Sequence, residues 1–116
     1  MKHPLFPLHE LAPGEMRAAQ VDKLSVVIVR KLDGSVRGLL NRCSHQGAKL
    51  SDGRVMPLVV GGDVGKRQLT EELVIRCPWH GFEFDLEGGR CVADPRRQRV
   101  RGFEVTVEDD IVILDH

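Results

Sequence analysis

Leu73-Val74-Ile75-Arg76-Cys77-Pro78-Trp79-His80-Gly81-Phe82-Glu83-Phe84-Asp85 spells out a strand, a tight turn and a second strand. Leu73–Arg76 is apolar and partly β-branched, as a buried strand requires. Phe82-Glu83-Phe84-Asp85 alternates apolar and acidic residues, the period of a half-buried strand. The turn between them holds a cysteine and a histidine, and Gly81 follows at once. An upstream segment, Cys43-Ser44-His45-Gln46-Gly47-Ala48, repeats the pattern with a shorter spacing. Thiolate and imidazole are both good ligands for iron or zinc. Two such side chains can aim at one small site if the backbone turns sharply, which Gly47 and Gly81 permit.

Outward from these turns, the chain reads as strands throughout. Leu24–Arg30 and Val36–Asn41 flank Asp33-Gly34, a strong hairpin signal. Phe103–Val107 and Ile111–Leu114 flank the acidic turn Glu108-Asp109-Asp110, and Gly88-Gly89 turns the chain after Asp85. Pro57–Glu72, with Gly61, Gly62 and Gly65, reads as a surface loop. Long helical patterns are scarce. Many short strands separated by turns predict an all-β, antiparallel sandwich or barrel. The 116 residues, 41% of them hydrophobic, fit one domain spanning 1–116 with a core of its own.

Charge and composition exclude several function classes. Seventeen basic residues balance seventeen acidic ones, so neither nucleic-acid binding nor a polybasic membrane anchor is supported. The best apolar runs, Leu24–Val29 and Val55–Val60, are of strand length rather than membrane-spanning length. No signal-peptide pattern follows Met1-Lys2-His3-Pro4, and the expectation is a soluble cytoplasmic protein. Three cysteines cannot all pair internally, which points to metal binding or free thiols. Cys91 lacks a histidine at the matching spacing and reads as a buried small apolar residue. His3, His9 and His116 likewise have no partner at ligand spacing.

Cys43-x-His45 together with Cys77-Pro78-Trp79-His80-Gly81-Phe82 resembles the Rieske iron–sulfur domain family. Asn41-Arg42, Leu50-Ser51-Asp52-Gly53, Phe84-Asp85 and Gly88-Gly89-Arg90-Cys91 agree with it, and the similarity covers residues 5–115. The resemblance implies a 2Fe-2S cluster held by two loops that form a small subdomain within about 42–85. Cys43 and Cys77 would hold one iron, and His45 and His80 the other. Thirty-one residues, 46–76, separate the two ligand pairs. That exceeds the usual spacing in small soluble members, and the excess falls in Pro57–Glu72.

High-potential members of the family carry an extra cysteine in each loop and place serine and tyrosine hydroxyls near the cluster. The matching positions here are Ala48 and Trp79, then Phe82 and Phe84, and the chain has no tyrosine. Fewer donors to the sulfurs mean less stabilisation of the reduced charge, so a potential of about −150 mV is expected. The family likeness implies an electron-transfer component rather than an enzyme. Its expected partners are a flavoprotein reductase and a terminal ring-hydroxylating oxygenase. An accessory subunit resembling the small subunit of nitrite reductase, or a structural zinc module, is the alternative. Trp79 reads equally as a docking residue and as packing that shields the cluster. Arg96 and Arg97, after Pro95, are candidates for docking an acidic partner.

Overall fold

A computed structural model describes residues 1–43, 47–60, 68–78, 81–93 and 98–116. Among them are nine strands: β1 (Lys2–Pro7), β2 (Met16–Val21), β3 (Leu24–Arg30), β4 (Val36–Leu40), β5 (Arg54–Val60), β6 (Gln68–Arg76), β7 (Glu83–Asp85), β8 (Gly102–Glu108) and β9 (Ile111–Asp115). Six form one sheet in the order β1-β9-β8-β4-β3-β2, and three form a second in the order β5-β6-β7. Every pairing is antiparallel. The larger sheet curls almost into a barrel. Arg17 on β2 spans the gap to β1, its guanidinium 4.6 Å from the Phe6 ring centroid. The expected all-β antiparallel architecture is present.

Strand β3 explains how the two sheets share one chain. Val26–Val29 are buried in succession, although a strand on a solvated sheet buries only every second residue. Val26 and Ile28 point into the barrel with Phe6, Val21, Val112 and Leu114. Val27 and Val29 point the other way, into a second core with Leu39, Leu50, Ile75 and Phe84. The small sheet supplies the far wall of that second core. Phe84 on β7 stands opposite Ile75 on β6, which stands opposite Val55 on β5. The cysteine-bearing turns are therefore anchored to a packed sheet face.

One sequence expectation is corrected. Within the expected loop Pro57–Glu72 the described residues are strand: 57–60 complete β5 and 68–72 open β6. The two strands pair from Arg54 opposite Arg76 to Val60 opposite Gln68, with a register shift between Pro57 and Val59. Pro57 lies on an edge strand, where its missing N–H costs little, and beside an irregularity of the kind proline favours. Residues 61–67 fall outside the described residues. Among the described residues, the extra length between the ligand pairs is paired strand. The two hairpins read from sequence are both present. Asp109 and Asp110 take left-handed backbone conformations in the second, a role aspartate tolerates better than most residues.

Candidate metal centre

The first cysteine-bearing turn hangs between β4 and a 3-10 turn at Leu50–Asp52. Asn41 fastens both ends. Its Nδ2 donates to Ser25 Oγ at 3.1 Å and Ser51 Oγ at 2.9 Å, and its Oδ1 accepts the Ser51 N–H at 2.8 Å. Only 5% of Asn41 is exposed, and it is the buried polar residue of the described core. Buried amides need such complete pairing, so the site tolerates one arrangement of chain around it.

The second turn hangs between β6 and β7 and copies the first. The Cys43 N–H donates to the Ala48 carbonyl at 2.7 Å, and the Cys77 N–H to the Phe82 carbonyl at 2.7 Å, each five residues on. Gly47 and Gly81, each four residues past its cysteine, have φ of +72° and +70°, a region that favours glycine. An arginine precedes each cysteine and lays its guanidinium over that glycine. A Cβ on Gly47 would lie 3.3 Å from Arg42 Nε, and one on Gly81 would lie 2.7 Å from Arg76 Nη2.

Cys43 and Cys77 are 1% and 2% exposed, form no disulfide among the described residues and belong to the same buried cluster as Leu50, Ile75 and Phe84. Burial in such surroundings favours the neutral thiol, so Cys43 and Cys77 would be held as thiolates there only by a compensating cation such as a metal ion. The donor set among the described residues therefore fits a metal centre with two sulfur ligands. His45 and His80, the expected imidazole ligands, lie outside the described residues, as do Trp79, Arg96 and Arg97. Among the described residues no group of three or more ligand-type side chains converges.

The surroundings of the thiols match the reading of positions 48, 82 and 84. Ala48 and Phe82 pack partly buried against the cysteine cluster, and Phe84 is fully buried in it. None of them offers a hydroxyl. Cys91 is also fully buried there, bridged to Phe84 on the sheet, as a small apolar residue would be. Beside Cys77 a cleft of about 340 Å³ opens, lined by Asp52, Arg54, Arg76, Pro78 and Gly81. Glu87, in the turn after β7, ties the small sheet to the barrel, meeting Lys31 Nζ at 2.6 Å and Arg37 Nε at 3.0 Å. Those two bonds hold its carboxyl below the usual carboxylate range. The Asn41 fastening and the stacked arginines were not foreseen from sequence. The only signal was that Arg42 and Arg76 each stand directly before a cysteine.

Comparison with known proteins places the chain. A family model described as the Rieske 2Fe-2S domain matches residues 1–104. The ferredoxin component of the naphthalene 1,2-dioxygenase system from Pseudomonas aeruginosa is 25% identical over 93% of this chain and 88% of its own. The ferredoxin of carbazole 1,9a-dioxygenase from Nocardioides aromaticivorans IC177 superposes with a TM-score of 0.78 at 31% identity, covering 97% of this chain and 95% of that one. A structure described as an NADH-dependent nitrite reductase small subunit, from Mycobacterium tuberculosis, gives 0.77 at 25% identity over 98% and 93%. By contrast, the chain spans 23% of the length of the dicamba O-demethylase oxygenase component of Stenotrophomonas maltophilia, at 35% identity over 75% of this chain. With its paired turns and buried thiols, the chain belongs to the Rieske 2Fe-2S domain family.

Proposed function

We propose that this chain is a Rieske ferredoxin, which carries single electrons from a reductase to a terminal enzyme such as a ring-hydroxylating oxygenase. The observation that carries the reading is the pair of matched turns that bury Cys43 and Cys77 in one cluster. The ferredoxin components among its relatives span nearly their whole length with it. When bound, a 2Fe-2S cluster supplies a one-electron redox couple. The chain itself then has three tasks. Cys43 and Cys77 hold one iron, and His45 and His80 hold the other and form the edge toward a partner. Asn41 and the packed face of β6 and β7 keep the two turns in register. Phe82, Phe84 and Ala48 exclude water without donating hydrogen bonds to sulfur, which sets a low potential.

The reductase is a flavoprotein using NAD(P)H on this reading, and the protein works in solution in the cytoplasm. No helix among the described residues is long and apolar enough to cross a membrane. The test is reconstitution. Holoprotein with a flavoprotein reductase, NADH and a purified terminal oxygenase should support product formation in place of the native ferredoxin, and Cys43→Ser should not. The nitrite reductase likeness favours a second reading, a stable accessory subunit. Co-purification in a fixed ratio with a large catalytic subunit, and no transfer to an oxygenase, would favour that reading over the carrier.

A further inference from the structure

We infer that Arg54 and Arg76, with Arg42 on the neighbouring turn, form a docking face for a carboxylate-rich patch on a protein redox partner. The inference deepens the carrier reading and rests on it for the partner's redox character. Arg54 and Arg76 stand directly opposite each other across β5 and β6. Directly paired residues project to the same face, and like charges there are destabilising. Both arginines are exposed, and both line the cleft beside Cys77.

Among the described residues their charges find no carboxylate partner. Glu83 stands opposite Arg76 on the other side, and Asp52 lines the cleft. Yet among the described residues neither arginine comes within ion-pair distance of a carboxylate. Lys2, Arg17, Lys31 and Arg37 each meet one, whereas Lys23 and Arg30, like Arg54 and Arg76, do not among the described residues. Arg42 holds the corresponding place on the first turn and is exposed too.

The charges are also placed to orient an encounter. Glu108, Asp109 and Asp110 close the β8–β9 hairpin, about 20 Å along β8 from its start beside Leu39 and the exit to Cys43. A chain of zero net charge cannot steer a partner by monopole attraction. Local charge can still orient it: the exposed Arg54, Arg76 and Arg42 stand at the ligand turns, whereas at the far end of the strand Glu108 is met by Lys2 and Asp110 by His9. The face that attracts the partner is then the face nearest the metal centre, where electron transfer is fastest.

The probe is flavodoxin, an acidic one-electron flavoprotein. Binding of the oxidised holoprotein to oxidised flavodoxin is titrated at about 10 mM and about 150 mM ionic strength, where charges are screened over about 30 Å and about 8 Å. In stopped flow, flavodoxin hydroquinone loses one electron to become the semiquinone, and the cluster gains it. Neutral photoreduced lumiflavin is the control reductant. Arg54 lies outside both ligand turns, so its variants test the face without touching the cysteines.

Arg54→Glu should weaken binding and slow reduction by flavodoxin at least about threefold at low salt, with the effect fading at high salt. Arg54→Lys should retain most of the wild-type rate, and lumiflavin should reduce every variant equally. Salt-independent binding, or an Arg54→Glu variant indistinguishable from wild type, would overturn the proposal. Saturable inhibition by inorganic phosphate at constant ionic strength would also overturn it, by revealing a small-anion pocket. A chain whose spectrum lacks the cluster defeats the carrier reading instead, and the binding titration still decides the docking face.

Discussion

The carbonyl oxygen of Arg76 occupies the place that a side chain on Gly53 would need: a Cβ built there would sit 1.9 Å from it. Gly53 ends the 3-10 turn that follows the first cysteine, and Arg76 immediately precedes the second. This contact therefore locks the two ligand turns together through backbone alone. Gly53→Ala must force β5 and β6 apart, at a cost of about 2 kcal/mol or more. Urea denaturation should show the loss, together with reduced iron content. Gly88→Ala is the control, because a Cβ there meets nothing closer than 3.6 Å.

Asn41→Ala removes three side-chain hydrogen bonds and strands the Ser51 N–H. The expected destabilisation is about 2–3 kcal/mol. Because Asn41 fastens the first turn at both ends, cluster retention during dialysis against a chelator should fall further than stability alone dictates. Ser25→Ala, which removes one of the three bonds, should lose much less.

Glu87 gives stability a pH dependence of known sign. Its folded carboxyl is held below the ordinary value by the bonds from Lys31 and Arg37. Its contribution is thus present above the unfolded value and is lost as pH falls through the lowered folded one. The side chain is 62% exposed, so solvent screening limits the contribution to about 0.5 kcal/mol. Glu87→Gln should lower the midpoint of urea denaturation slightly at pH 7, and the difference should shrink as pH falls below the ordinary carboxylate value and through the lowered folded one.

The absence of hydroxyl donors at positions 82 and 84 sets the expected potential at about −150 mV, the low end of the Rieske range. Phe82 is only partly buried, so Phe82→Ser places a hydroxyl at the edge of the cysteine cluster with room to orient. One added hydrogen bond to the reduced centre is worth about 1 kcal/mol, an upward shift of about 40–50 mV. Spectroelectrochemical titration of both proteins checks the value and the direction.

The parts legible in sequence are those governed by local chemistry. Asp33-Gly34 and Glu108-Asp109-Asp110 announce their hairpins because strand, turn and strand are contiguous. Strand β1 carried no such signal. It contains Pro4 and Pro7, and its partner β9 lies at the other end of the chain. Val55–Val60 has strand length in the sequence, but Gly61, Gly62 and Gly65 carry the loop reading back over Pro57, which only an edge position makes harmless in a strand. Cys43 and Cys77 could be named from their motifs. The bonds of Asn41 and the approach of Gly53 to Arg76 could not, because both depend on distant segments meeting.

Electron paramagnetic resonance of the dithionite-reduced protein, with iron and labile sulfide determined on the same sample, tests the central claim most directly. The account predicts a red-brown protein whose reduced form gives a 2Fe-2S signal of about one spin per chain. That signal should disappear in Cys43→Ser, Cys77→Ser, His45→Ala and His80→Ala, and persist in Cys91→Ala. A colourless, zinc-loaded chain with no signal, or a signal that survives loss of Cys43 or Cys77, would contradict it.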